Sequence, residues 1–162
     1  MRIDYLADHP DAAPLLAAWH HDEWRDLLPG WTLEQALAEL RSHTGRRQIP
    51  TTFVAIEEDR LVGSASLLTA DLDEWEHLTP WVASVYVVPD CRGRGVGRRL
   101  LARSVEEAHA LGVDTVYLFT AGQEGYYARL GWSPLARARH HSHDVVIMRR
   151  LTEPGQVSPP PP

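Results

Sequence analysis

The sequence predicts an α/β domain, and three features predict it. Short β-rich runs alternate with amphipathic helical stretches along most of the 162 residues. Residues 81–119 read strand, helix, strand, the pattern of a parallel pair joined by a right-handed crossover. Residues 52–57 with 61–69, and 135–139 with 144–150, read as two hairpins and therefore as antiparallel pairs. The sheet is accordingly mixed.

Each element has its own signal. Residues 2–7 form a first strand. Pro10 opens a helix that carries Leu15, Leu16, Trp19, Glu23, Trp24 and Leu27 near helical spacing, and Pro29-Gly30 stops it. Thr32 with Gln35 three residues on is a capping box, and the helix it starts lines up Leu33, Ala36, Leu37 and Leu40. A tight Glu58-Asp59-Arg60 turn joins the first hairpin. An acidic loop follows, with Asp71, Asp73, Glu74 and Glu76. Residues 81–88 are mostly apolar, as a strand covered on both faces would be. Residues 95–111 make a helix with Val96, Leu100, Leu101, Val105 and Ala108 as its buried stripe, and Gly112 ends it. A β-run at 115–120 leads to a short helix through Tyr126-Tyr127. The last hairpin turns at His140-His141-Ser142-His143. The chain reads as one domain, residues 1–151, with a Pro-rich tail at 152–162 expected to be disordered or extended.

Composition removes several function classes. The net charge of −6 argues against general nucleic-acid binding. A single cysteine, Cys91, rules out an internal disulfide framework and any multi-cysteine metal site. The crowded histidines His140, His141 and His143 sit on neighbouring turn positions, which seldom converge on a metal, so no metal is expected. His20 and His21 read as a solvated surface pair. No apolar run approaches the roughly 18 residues of a membrane span, and the N-terminus lacks the layout of a signal peptide, so a cytoplasmic protein with no membrane partner is expected.

The most informative stretch is Val87-Val88-Pro89-Asp90-Cys91-Arg92-Gly93-Arg94-Gly95-Val96-Gly97-Arg98. A strand ends at Pro89, a glycine- and arginine-rich turn follows, and a helix begins. The first turn of a helix exposes N–H groups without intrahelical partners at the positive end of its dipole, and glycines let a ligand approach the backbone. This is a phosphate cradle. A dinucleotide fingerprint would need Gly or Ala where Arg98 stands, and the loop of P-loop hydrolases needs a lysine, which this chain lacks. What remains, Arg92-x-x-Gly95-x-Gly97 after an apolar strand, resembles the acetyl-CoA signature of the GCN5-related N-acetyltransferase (GNAT) family. A second segment, Tyr126-Tyr127-Ala128-Arg129-Leu130-Gly131-Trp132, resembles the family's later motif, in which an aromatic-Tyr pair precedes a Leu-Gly-aromatic close. The two stand in the family's order and cover most of the chain.

The resemblance implies a GNAT-type acyl-CoA N-acyltransferase fold, with a mostly antiparallel sheet and one parallel pair splayed apart at the cofactor. It implies acetyl-CoA as cosubstrate and transfer of the acetyl group to a primary amine, of a small molecule or a peptide, by direct attack in a ternary complex. Cofactor contacts would come from Val85, Tyr86 and Val87 on the splayed strand, from Arg92, Gly93, Arg94, Gly95, Val96, Gly97 and Arg98 in the loop, and from Gln123, which stands where many members carry an asparagine. Tyr127 would protonate the leaving thiolate, a phenol being protonated at neutral pH, while Tyr126 would face the core. Glu23 or Asp71, expected near one mouth, would take the ammonium proton. Trp24 and Trp81 would wall the acceptor pocket, Trp81 being the better placed. The final hairpin would be the joint of a homodimer. The rival reading is a non-catalytic acyl-CoA-binding module or sensor.

Overall fold

The structure is a computed structural model that describes residues 1–153. Seven strands form one sheet in the order β1-β2-β3-β4-β5-β7-β6. They are β1 (Arg2–Tyr5), β2 (Thr51–Glu57), β3 (Arg60–Leu68), β4 (Trp81–Val87), β5 (Thr115–Thr120), β6 (Ser133–His140) and β7 (His143–Leu151). The helices are α1 (Ala13–Trp24), α2 (Leu33–Ser42), α3 (Val96–Ala110) and α4 (Glu124–Arg129). Every strand pair is antiparallel except β4 with β5.

Local chemistry sets the joints. Glu58 and Asp59 both have positive φ, 49° and 60°. That makes a two-residue turn whose twist matches the strands it joins, and Arg60 becomes the first residue of β3. At the start of α2 the Gln35 N–H donates to Thr32 Oγ1 at 3.1 Å, while the Thr32 N–H donates to Gln35 Oε1 at 2.9 Å. At the end of α3 the N–H groups of Gly112 and Val113 donate to the carbonyls of His109 and Ala108, at 2.9 and 3.0 Å. This closure needs the left-handed residue that Gly112 supplies at φ 79°.

Alternation along β2 divides the core. Phe53 and Ala55 join Val96, Leu100, Leu101, Val105 and Ala108 of α3 on one face. Val54 and Ile56 join Leu16 and Ala17 of α1 and Ala36 and Leu40 of α2 on the other. A third cluster of Leu72, Trp81, Val145 and Ile147 locks the loop after β3 against the last hairpin.

Four details differ from the sequence reading. Pro10 lies in a 3₁₀ turn, so α1 starts at Ala13 and buries Ala13, Leu16, Ala17 and His20, leaving Leu15 48% exposed. His20 is therefore interior, not half of a solvated pair. Only the first three residues of β4 are buried; Ser84 to Val87 are half-buried, because the strand loses its β5 neighbour there. Thr152 does not belong to a loose tail: it is 5% exposed, and its N–H donates to the Asp114 carbonyl at 3.0 Å. The rest of that tail, residues 154–162, lies outside the described residues.

Candidate active site

The site is built where β4 and β5 part. Their only paired residues are Trp81 and Tyr117, and the Tyr117 N–H reaches back to the Pro80 carbonyl at 3.0 Å. Beyond that point β4 carries a bulge: Ser64 faces Tyr86 and Ser66 faces Ala83 across β3, so two steps on β3 oppose three on β4. Ser84 has φ 52°, and a bulge of this kind re-aims the backbone next to a ligand site. The segment containing Val85, Tyr86 and Val87 thus presents an edge toward β5 with no strand on it, ready for an extended ligand.

At the open end of β4 stands the glycine loop. Gly93 and Gly95 hold φ 74° and 83°, and no atom would lie within 4 Å of a Cβ at either; the backbone conformation, not crowding, requires glycine there. The first helical hydrogen bond of α3 runs from the Arg99 N–H to the Gly95 carbonyl at 3.1 Å. The N–H groups of Val96, Gly97 and Arg98 precede it and have no intrahelical acceptor, which is an anion site in miniature. The Val96 side chain itself is core. Gly97 leaves little room: a Cβ there would lie 3.2 Å from the Tyr126 hydroxyl, which would have to shift.

The loop arginines divide. Arg94 gives Nη2 to both oxygens of the Glu57 carboxylate, at 2.9 and 3.1 Å, and Nη1 to Cys91 Sγ at 3.5 Å, so its side chain is engaged within the protein. The Arg92 Nε donates to the Val87 carbonyl at 2.9 Å, its guanidinium lies 5.8 Å from the centre of the Tyr86 ring, and Glu23 stands 3.8 Å away. Arg98 is exposed beside the first turn of α3.

On α4, Tyr127 packs edge-on against Tyr126 at 5.2 Å and against Trp132 at 6.4 Å. Desolvation, with Tyr126 adding, pushes its phenol up to about 12, so it keeps its proton at neutral pH. Tyr126 packs against the main core cluster with its hydroxyl beside Gly97 in the first turn of α3. Gln123 sits at the N-cap position of α4, is exposed, and donates its backbone N–H to Thr120 Oγ1 at 3.2 Å.

The two tryptophans exchange roles. Trp81 is 0% exposed, and its indole N–H donates to the Leu78 carbonyl at 2.6 Å. It anchors the point where β4 and β5 still touch and cannot wall an open pocket. Trp24 is half-buried and meets Tyr86 edge-on at 6.4 Å, beside Trp19 stacked on the same ring at 5.5 Å. The carboxylates separate as well. Glu23 lies at the glycine-loop end of β4, while Asp71 follows β3 past Leu68, the partner of Trp81, at the opposite end. They do not share a mouth. Asp71 lines a cavity of about 480 Å³ with Glu39, His43, Asp73 and Glu76. Burial, reinforced by the charge of Glu39, pushes its carboxyl up to about 7.

A parted parallel pair, a bulged strand and a glycine loop opening a helix define an acyl-CoA-binding class of α/β protein, and sequence comparison agrees. The Acetyltransferase (GNAT) family matches residues 16–132, and the chain belongs to that family. A curated relative, the uncharacterized N-acetyltransferase YjhQ of Escherichia coli (strain K12), is 38% identical over 55 residues, which span 34% of this chain and 29% of the relative. Among solved structures, an aminoglycoside 6'-N-acetyltransferase complexed with coenzyme A aligns with a TM-score of 0.75 at 14% identity, covering 96% of this chain and 99% of the other. A ribosomal-protein-alanine N-acetyltransferase from Brucella melitensis aligns with a TM-score of 0.72 at 22% identity, covering 93% and 99%. These likenesses are of fold. The parallel β4–β5 pair within a mostly antiparallel sheet is the architecture they share. Among the described residues, no helix is long and apolar enough to cross a membrane.

Proposed function

We propose that this protein is a cytoplasmic enzyme that transfers the acetyl group of acetyl-CoA to a primary amine by direct attack in a ternary complex. The observation that carries the reading is the parting of β4 from β5 after a single paired residue, with a bulge at Ser84 and the Arg92–Gly97 loop at the open end. The backbone edge of Val85, Tyr86 and Val87 would hold the pantetheine arm and polarise the thioester carbonyl. The N–H groups of Val96, Gly97 and Arg98, with the Arg98 and Arg92 side chains, would hold the pyrophosphate. Gln123 would contact the cofactor arm.

Tyr127 would give its proton to the departing thiolate. The two carboxylate candidates for the ammonium proton lie at opposite ends of β4: Glu23 is exposed, stands at the glycine-loop end and faces Arg92, while Asp71, with a pKa near 7 that suits a base at neutral pH, lies past Leu68 at the end where β4 and β5 still pair. Trp24, Trp19 and Tyr86 would form the aromatic wall of the acceptor pocket. The net charge of −6 and the acidic loop of Asp71, Asp73, Glu74 and Glu76 favour a cationic acceptor such as a polyamine, an amino sugar, an amine-bearing antibiotic or a basic peptide. β6 is an outer strand of the sheet and would be the joint of a homodimer.

The test is a screen of amines for release of free CoA thiol, with Tyr127→Phe in parallel. Turnover with at least one cationic amine, and a loss of about 10²-fold or more in kcat for Tyr127→Phe, is expected. Binding of acetyl-CoA with no turnover on any amine would favour a binding module or sensor.

A further inference from the structure

The mechanism above gives Tyr126 no task and leaves one arginine of α4 unused. Tyr126 is half-buried and packs against the main core cluster. A Cβ on Gly97 would lie 3.2 Å from its hydroxyl and 3.7 Å from a methyl of Val87, the last residue of β4. The hydroxyl therefore stands where the open edge of β4 meets the free amides of α3. Among the described residues it makes no hydrogen bond, whereas the Tyr5 hydroxyl makes two. Packing alone asks only for a phenyl ring. A glycine inside a helix weakens it, and Gly97 makes the room in which this hydroxyl stands.

Two cations accompany the hydroxyl. Arg129 comes three residues after Tyr126, on the same face of α4, and folds back along the helix, so that a Cβ on Gly125 would lie 3.7 Å from its Nη1. Arg98 follows Gly97 on α3. Both arginines are exposed, and among the described residues neither has an ion pair or a hydrogen bond. Their neighbours in the loop and on α3 are engaged: Arg92 with the Val87 carbonyl, Arg94 with Glu57, Arg99 with the Met1 carbonyl and Arg103 with Glu107. Carboxylates outnumber arginines 22 to 16 in this chain, so a shortage of partners does not explain two unpaired guanidinium groups beside one hydroxyl. Burial pushes the Tyr126 phenol up, while the charges of Arg129 and Arg98 pull against it. Both cations thus bear on the hydroxyl, which keeps its proton at neutral pH and is free to donate. We propose that Tyr126 and Arg129 form, with Arg98, a phosphate clamp between α3 and α4, the Tyr126 hydroxyl and the Arg129 guanidinium gripping the CoA diphosphate from α4 while the amides of Val96, Gly97 and Arg98 hold it from α3. It rests on the acyl-CoA reading of the site and adds a second helix to it. The hydroxyl is a directed donor, and a guanidinium offers paired N–H groups to phosphate oxygens. Successive tyrosines of α4 then serve different ends of one ligand, Tyr126 the phosphates and Tyr127 the sulfur. An acyl carrier without the diphosphate gains nothing from the clamp.

The experiment titrates the parent, Tyr126→Phe and Arg129→Gln calorimetrically with CoA and with pantetheine, which keeps the thiol arm and lacks the diphosphate, beside the melting temperature of each free protein. Tyr126→Phe keeps the ring and Arg129→Gln alters an exposed side chain, so both are expected to melt with the parent. Each is expected to raise the Kd for CoA about 10-fold, the loss of a charge-assisted hydrogen bond, and to leave the Kd for pantetheine at the parent's value. If pantetheine binds the parent too weakly to titrate, the Kd for CoA against salt takes its place: Arg129→Gln loses most at low salt and converges on the parent at high salt, because an exposed ionic contact is screened. A Kd for CoA equal to the parent's in both variants, a loss shared equally by pantetheine, or a loss on Arg129→Gln that salt does not change overturns the clamp. A parent that binds no CoA overturns the acyl-CoA reading instead, before any variant is compared.

Discussion

Tyr5 donates its phenolic hydrogen to Glu107 Oε1 at 2.7 Å, tying the first strand to the middle helix across 102 residues of sequence. Glu107 is 0% exposed, and Arg103, one turn back on α3, brings a guanidinium nitrogen within 2.8 Å of its other oxygen. Arg103 itself lies over the rings of Phe53 and Tyr5, at 4.5 and 5.3 Å. Burial works against the charge on Glu107, but the Tyr5 hydroxyl and Arg103 outweigh it and hold the carboxyl below its ordinary value. A carboxyl whose pKa is lower folded than unfolded contributes stability above the unfolded value and loses it as pH falls through the folded one. Tyr5→Phe is expected to cost about 1.5–3 kcal/mol at pH 7, the usual worth of a hydrogen bond to a charged group. The cost should shrink as pH falls through the lowered pKa of Glu107. Urea unfolding of parent and variant, followed from pH 7 down through the acid range, measures both; a loss that stays the same over the whole range would mean that the Tyr5 bond is not to a charged Glu107.

The loop arginines give a second prediction, because their side chains point to different partners. Arg98→Ala is expected to raise the Kd for CoA about 10-fold or more, the loss of a charge-assisted hydrogen bond. Arg94→Ala removes the half-exposed pair with Glu57 and a long contact to the Cys91 sulfur, so it should change Kd by less than about 3-fold and stability by less than about 1 kcal/mol. Titration calorimetry with CoA separates the two. Equal effects would put the Arg94 side chain back on the cofactor.

These contrasts show what the sequence could and could not disclose. Thr32 and Gln35 cap α2 through bonds only three residues apart, and Gly112 closes α3 through bonds within one turn. Such features are local and therefore legible. The glycine loop was legible for the same reason. Apart from the start of α1, where Pro10 lies in a 3₁₀ turn, the departures are long-range. Whether Trp81 or Trp24 faces the pocket depends on where β4 and β5 part, which no single segment encodes. Glu23 and Asp71 looked alike as acidic residues near helix or strand ends until the register of β3 on β4 set them at opposite ends. Arg94 finds Glu57 at a separation of 37 residues, and His20 finds Ser64 at 44. A histidine beside another histidine on a helix gives no sign of that partner.

Gly95 tests the conformation of the loop by itself. Its φ of 83° places it in the left-handed region at the N-cap of α3, where a side chain costs about 1–2 kcal/mol. Because no neighbouring atom would meet a Cβ there, Gly95→Ala introduces strain without a clash. Relief of the strain would tilt the N–H groups of Val96 and Gly97 off the bound anion. A modest fall in melting temperature and a larger fall in CoA affinity are expected, read by thermal unfolding with and without CoA. If stability fell while the shift produced by CoA stayed at the parent's value, the loop would not be the anion site.

Asp71 gives the prediction in which stability and activity move in opposite directions. Its carboxyl is pushed up to about 7 by burial and by Glu39, so the fold favours the protonated form. An unfolded chain releases that proton near 4. The stability the folded protein has at low pH is therefore lost progressively as pH rises from about 4 to about 7, and stays lost above. Asp71→Asn has no proton to release and escapes this loss. It should melt higher than the parent at pH 8 and close to it at pH 4. If Asp71 is the final acceptor of the ammonium proton, the same substitution lowers kcat by about 10²-fold or more and removes the limb of the profile that rises through pH 7. A general structural defect would lower both quantities together. A carboxylate held ready for proton uptake at a cost to the fold raises one and lowers the other. Melting curves at pH 4 and pH 8 beside the kcat profile of Asp71→Asn distinguish the cases. A variant that is stabilised at pH 8 yet keeps the parent's rising limb would leave Asp71 buried but idle, and pass the role of proton acceptor to Glu23.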